Sequence, residues 1–115
     1  RQRTMKKPLT EAEQQALVHF KTALESLLGD NLLSLRLFGS RVREEGTEES
    51  DLDVLVVVRK KDRGLYRRIV EESLDIDLAY GTNLAPTILN ASEYEQNREY
   101  ATLFYCNIER EGMAL

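Results

Sequence analysis

The chain has 115 residues, 42% hydrophobic and 31% charged, with two prolines and no tryptophan, which fits one domain, residues 1–115, and leaves no room for a separate substrate domain. Its net charge of −4 argues against a nucleic-acid backbone or an anionic membrane as the main partner. The single cysteine, Cys106, excludes an internal disulfide and suits the cytoplasm, and no apolar run approaches the roughly 18 residues of a membrane helix.

Residues 1–8 are expected to be a flexible N-terminal segment. Thr10 and Glu13 then form a capping box, and Leu17, Phe20, Leu24 and Leu27 or Leu28 recur at helical spacing up to Gly29, predicting a helix over 11–28. His19, the only histidine, falls on this helix with no serine or cysteine nucleophile pattern near it, so it reads as a surface residue. Leu33, Leu35 and Leu37 alternate with Ser34, Arg36 and Phe38, a strand that ends at Gly39-Ser40.

Residues 41–50 are polar and acidic, read as a short helix and loop. "LDVLVVV" (52–58) is a second strand, apolar on both faces and therefore central. "KKDRG" makes a turn and "GLYRRIVEES" a short helix. In "LDIDLAY" (74–80), Leu74, Ile76 and Leu78 alternate with Asp75, Asp77 and Ala79, predicting a third strand. "TNLAPTIL" reads as a loop with a helical turn. Residues 91–115 read as helical, with Ser92 and Glu95 as a second capping box and Gly112 as terminator. The class is α/β (α+β), a small mixed sheet flanked by helices.

Asp51 and Asp53 share one face of the second strand, about 7 Å apart along it. If the 74–80 strand lies beside it, Asp77 brings a third carboxylate to the same patch. Three like charges repel unless cations neutralise them. Mg²⁺ takes oxygen ligands from one or two carboxylates plus substrate phosphates, and two such ions would clamp an in-line phosphoryl displacement. Taken alone, an Asp-x-Asp at a strand head is as readily a solvated strand end. Gly39-Ser40 between a strand and a polar segment adds backbone N–H groups and a hydroxyl for an anion, with glycine allowing its close approach.

Gly39-Ser40, ten intervening residues and then Asp51-Leu52-Asp53 resemble the signature of the polymerase-β-type nucleotidyltransferases, in particular the minimal nucleotidyltransferases that act as antitoxins of helical HEPN toxins. The ending "FYCNIEREGMAL" is similar to that family's usual tail. The resemblance implies a polymerase-β-like nucleotidyltransferase fold and an enzyme that moves AMP from ATP, with two Mg²⁺ ions, onto a hydroxyl of a HEPN-type toxin. It assigns metal binding and catalysis to Asp51, Asp53 and a third carboxylate, with Asp77 the first choice and Asp75 the alternative. Gly39, Ser40 and an arginine would grip the triphosphate, Arg43 before Arg41. Glu44 and Glu45 depart from the glycine usual after that arginine. The acceptor surface would come from a partner or a second copy. A non-catalytic antitoxin that binds through Leu103, Phe104 and Tyr105 is the alternative function.

Overall fold

A computed structural model of the chain describes residues 9–39 and 51–115. Ser40, Arg41, Arg43 and the helix and loop expected over 41–50 lie outside the described residues. Helix α1 spans Glu11–Leu28, and its capping box forms as the sequence predicts: the Glu13 N–H donates to the Thr10 hydroxyl, and the Thr10 N–H to the Glu13 carboxylate. Gly29, at φ +53, ends it. Strand β1 (Leu32–Phe38) and strand β2 (Leu52–Val58) then pair antiparallel, with Leu37 opposite Val54 and Phe38 opposite Asp53.

Residues 74–80 are helical, which corrects the expected third strand. They are the C-terminal part of one helix, α2, over Arg63–Tyr80. The Asp62 side chain caps its first turn by accepting from the Leu65 N–H, and Gly81 in the left-handed region closes it. Leu65, Ile69, Ser73, Ile76 and Tyr80 make a continuous inward stripe at spacings of three and four. The period-two pattern in "LDIDLAY" is incidental to it: Ile76 is buried, but Leu74 and Leu78 are 55% and 86% exposed.

The strand beside β2 is β3 (Leu84–Asn90), in the stretch expected to be a loop. It runs parallel to β2 with Leu52 opposite Leu84 and Asp53 opposite Ala85, and α2 is the crossover between them. Pro86 falls inside this strand. It is tolerated because β3 lies at the edge of the sheet, whose order is β3-β2-β1-β4. Central β2 is buried on both faces, as its composition predicts.

The C-terminal segment is two helices instead of one. Helix α3 spans Ala91–Glu99 with its capping box at Asn90 and Glu93, two residues before the expected pair. Ala101, at φ +47, breaks the chain direction, and Thr102 caps helix α4 (Leu103–Glu111). Gly112 ends α4, and strand β4 (Met113–Ala114) pairs with β1. One sheet face carries α1 and α2 over a core of Phe20, Leu24, Leu37, Val54, Val56, Ile69 and Ile76. The other carries α3 and α4 over Leu55, Val57 and Ile108. Among the described residues no helix is long and apolar enough to cross a membrane.

Candidate active site

The second face is where the strand-end aspartates emerge. Asp53 points to the side of Leu55 and Val57, and Asp51, two residues earlier, belongs to the same face by the period of the strand. Asp51 is exposed at the lip, while Asp53 is half-buried. Leu52 between them is buried in the opposite core, and its N–H donates to the Asn83 carbonyl at 2.8 Å. The pair is therefore held by a strand anchored on both sides.

Gly39 follows β1 one residue past Phe38, the residue that lies across from Asp53. Its φ of +89 already favours glycine, and a Cβ there would lie 2.0 Å from Asp53 Oδ2 and 2.9 Å from Cγ. The Asp53 carboxylate thus occupies the volume above the Gly39 Cα. Gly39 and Asp53, which the sequence separates by thirteen residues, are brought into contact by the structure.

Behind this pair the face is braced. Phe38, in the same row as Asp53, meets Phe104 of α4 edge-on, with ring centroids 5.6 Å apart. One row down, Arg36 donates to Glu109 at 2.8 Å and lies 3.4 Å from the Tyr94 hydroxyl, which itself donates to Glu109. Burial, then the bond to Glu109, pushes the Tyr94 hydroxyl up to about 12. The Tyr94 and Arg36 hydrogen bonds hold Glu109 below the usual carboxylate range, and Glu109 in turn raises Arg36. The brace joins β1, α3 and α4, so the tail "FYCNIEREG" supports the end of β1 that carries Gly39. The signal for it was visible: Arg36 and Phe38 alternate onto the face of Asp53.

Asp77 is not part of this arrangement. On the last turn of α2, its carboxylate accepts from the Thr82 hydroxyl at 2.8 Å and from the Leu84 N–H at 2.9 Å. It ties the end of α2 to the start of β3. Asp75 is exposed on α2. The expected convergence of Asp51, Asp53 and Asp77 depended on residues 74–80 being a strand, and among the described residues no three His, Cys, Asp or Glu side chains are grouped to hold a metal. The donor set that remains, Asp51 and Asp53 beside the Gly39 cradle, suits one hard divalent cation whose other ligands are water and phosphate oxygens. His19 is exposed on α1, near the Tyr80 hydroxyl.

Three comparisons bear on this geometry. The model of the family described as "Nucleotidyltransferase domain" matches residues 17–105. A Methanocaldococcus jannaschii protein named as a candidate protein adenylyltransferase is 30% identical over 106 residues, 90% of this chain and 97% of that protein. Among solved structures, a candidate nucleotidyltransferase from Sulfolobus solfataricus has a TM-score of 0.50 at 18% identity, covering 96% of this chain and 90% of that one. A mutant form of the toxin–antitoxin pair MntA–HpeT has a TM-score of 0.48 at 20% identity, covering 83% of this chain and 68% of that one.

Proposed function

Since the chain belongs to the nucleotidyltransferase domain family, we propose that it transfers AMP from ATP, with Mg²⁺, to a hydroxyl group of a partner protein, and that it serves as the antitoxin of a HEPN-type toxin. The observation that supports the reading is the contact of the Asp53 carboxylate with Gly39, which brings the residue expected to grip phosphate against the residue expected to hold the cation. The name of the M. jannaschii relative supports a protein as acceptor. The HEPN partner rests on the resemblance of the Gly39–Asp53 segment and the tail.

In this reading Asp51 and Asp53 would hold Mg²⁺, which neutralises charge on the triphosphate and makes the α-phosphorus a better electrophile. Gly39 offers its backbone N–H to a phosphate oxygen, with the Ser40 hydroxyl and the Arg43 guanidinium as further grips. The acceptor oxygen forms a bond to the α-phosphorus as the bond from that phosphorus to the bridging oxygen breaks. Pyrophosphate leaves with the electron pair, and the hydroxyl proton passes to a base or to solvent. The chain's task is placement and charge balance.

A second reading has its own observation. Tyr100 and Leu103 are 79% and 75% exposed at the α3–α4 junction, an apolar surface that a binding antitoxin would present. Of the expected contact face, Phe104 instead packs inward against Phe38. One experiment separates the readings: titrate ATP calorimetrically with and without Mg²⁺ on the wild type and on Asp51→Ala/Asp53→Ala, then follow AMP addition to a co-expressed toxin by intact mass. Mg²⁺-dependent binding that is lost in the double variant, together with AMP transfer, is the expected result. Toxin neutralised equally well by the double variant would favour the binding module.

A further inference from the structure

Helix α2 has two long faces. Leu65, Ile69, Ser73, Ile76 and Tyr80 look into the core. Outward, Tyr66, Val70, Leu74 and Leu78 recur every four residues, a second apolar row about 18 Å long. Tyr66 and Leu74 are each 55% exposed and Leu78 is 86% exposed, with Val70 half-buried. Single exposed apolar residues are ordinary, but a continuous row of them along one helix marks a contact surface. Directly beside this row runs another, Arg67, Glu71 and Asp75, with Arg68 next to it, all exposed. With Arg63 in its first turn, the helix is basic towards its N-terminus and acidic further on. That order opposes the macrodipole, and it sets arginine before glutamate at i,i+4, the less favourable direction. The stability of the helix by itself therefore does not account for the charge pattern.

We infer that this face of α2 is a homodimer surface, on which α2 of a second copy lies antiparallel about a two-fold axis midway between Val70 and Leu74. Tyr66 then comes opposite Leu78 of the second copy and Val70 opposite its Leu74, each row packing into the groove beside the other. A two-fold axis also brings the same flank of both helices together. Arg67 and Arg68 of each copy therefore face Glu71 and Asp75 of the other, and the two macrodipoles oppose. Parallel pairing would set arginine against arginine. A second copy is the partner that the pattern fits, because one helix supplies both halves of the complementarity. The surface lies on the α1–α2 side of the sheet, and Asp51 and Asp53 belong to the other side. The dimer thus carries two candidate sites on its outer sides, both open to an acceptor, and it stands whether or not those sites hold nucleotide.

Sedimentation velocity on the full chain tests this. A dimer is expected at about 100 µM, with a dissociation constant in the micromolar range for a surface of this size. Arg67→Glu/Arg68→Glu and Glu71→Arg/Asp75→Arg should each weaken association at least about tenfold, and an equimolar mixture of the two should recover it. Both reversals suit the macrodipole, so circular dichroism should show the helix intact in each. Orientation is read from cysteines placed in a Cys106→Ser background. Under mild oxidation Tyr66→Cys and Leu78→Cys should cross-link to one another in a mixture, and neither to itself. A mixture of the charge variants that does not recover, or self-linking of either cysteine variant, would overturn the inference. A wild type that stays monomeric would leave the apolar row to a different partner and overturn it too.

Discussion

The two faces of the sheet are built to different standards. Under α1 and α2, two 18-residue helices close over a continuous apolar cluster, and every even-numbered residue of β2 from Leu52 to Val58 points into it. Under α3 and α4, two nine-residue helices cover only Leu55, Val57 and their neighbours, and the row of Phe38, Asp53 and Ala85 lies at the end of that cover. Stability is concentrated on the first face, and the chemistry sits where the second runs out. The difference teaches that a strand can be a core element and a site element at once, because its two side-chain sets are independent.

The strongest way to break the comparison is Phe20→Ala. Phe20 is fully buried in the first face, so the variant should lose about 3–5 kcal/mol in chemical denaturation, while the molecules still folded bind Mg²⁺–ATP with wild-type affinity. Phe104→Ala is the counterpart. Half-buried, it should cost about half as much stability yet weaken nucleotide binding several-fold, since Phe38 and Gly39 lose their backing. Equal effects on binding would dissolve the distinction.

Asp77→Ala sharpens it further. The Leu84 N–H would be left unsatisfied near the core, a loss on the order of 1–3 kcal/mol, with nucleotide affinity unchanged by calorimetry. Loss of Mg²⁺–ATP binding in a folded Asp77→Ala protein would restore Asp77 to the site. The smallest effect is alkaline. Tyr94 is raised to about 12 in the folded state, against about 10 when unfolded. The folded protein therefore binds that proton more tightly, and its stabilising contribution is complete below pH 10 and lost as pH rises through 12. Tyr94→Phe should flatten the fall in melting temperature over that window.

Much of this was legible beforehand where local chemistry and global packing agree. Thr10 and Glu13 fix the start of α1 whatever it packs on, and the double-sided apolar run of β2 has only a central position to occupy. Gly39 and Asp53 were legible as a pair because strand-turn-strand spacing brings them together. The third strand was misread because seven residues can satisfy period two while belonging to an 18-residue helical stripe, and the signals that decide, Asp62 and Gly81, lie outside those seven. The strand "LAPTILN" was hidden by Pro86, whose acceptability depends on being at an edge, a fact of tertiary structure. With the strand misplaced, the third carboxylate was sought on Asp77.

The contact between Gly39 and Asp53 also has a consequence for how this chain can change over generations. Any side chain at position 39 meets the Asp53 carboxylate at 2.0 Å, so the two positions are epistatic. A side chain at 39 is disfavoured twice while the aspartate stands, by that contact and by the φ of +89, and the backbone strain still opposes it once position 53 shrinks. The glycine is therefore held by its own backbone as well as by the aspartate, and only position 53 is released once the aspartate is no longer useful. A lineage that had given up nucleotide would show it first as a replacement at 53 above an unchanged Gly39, with the cores on either side of the sheet untouched.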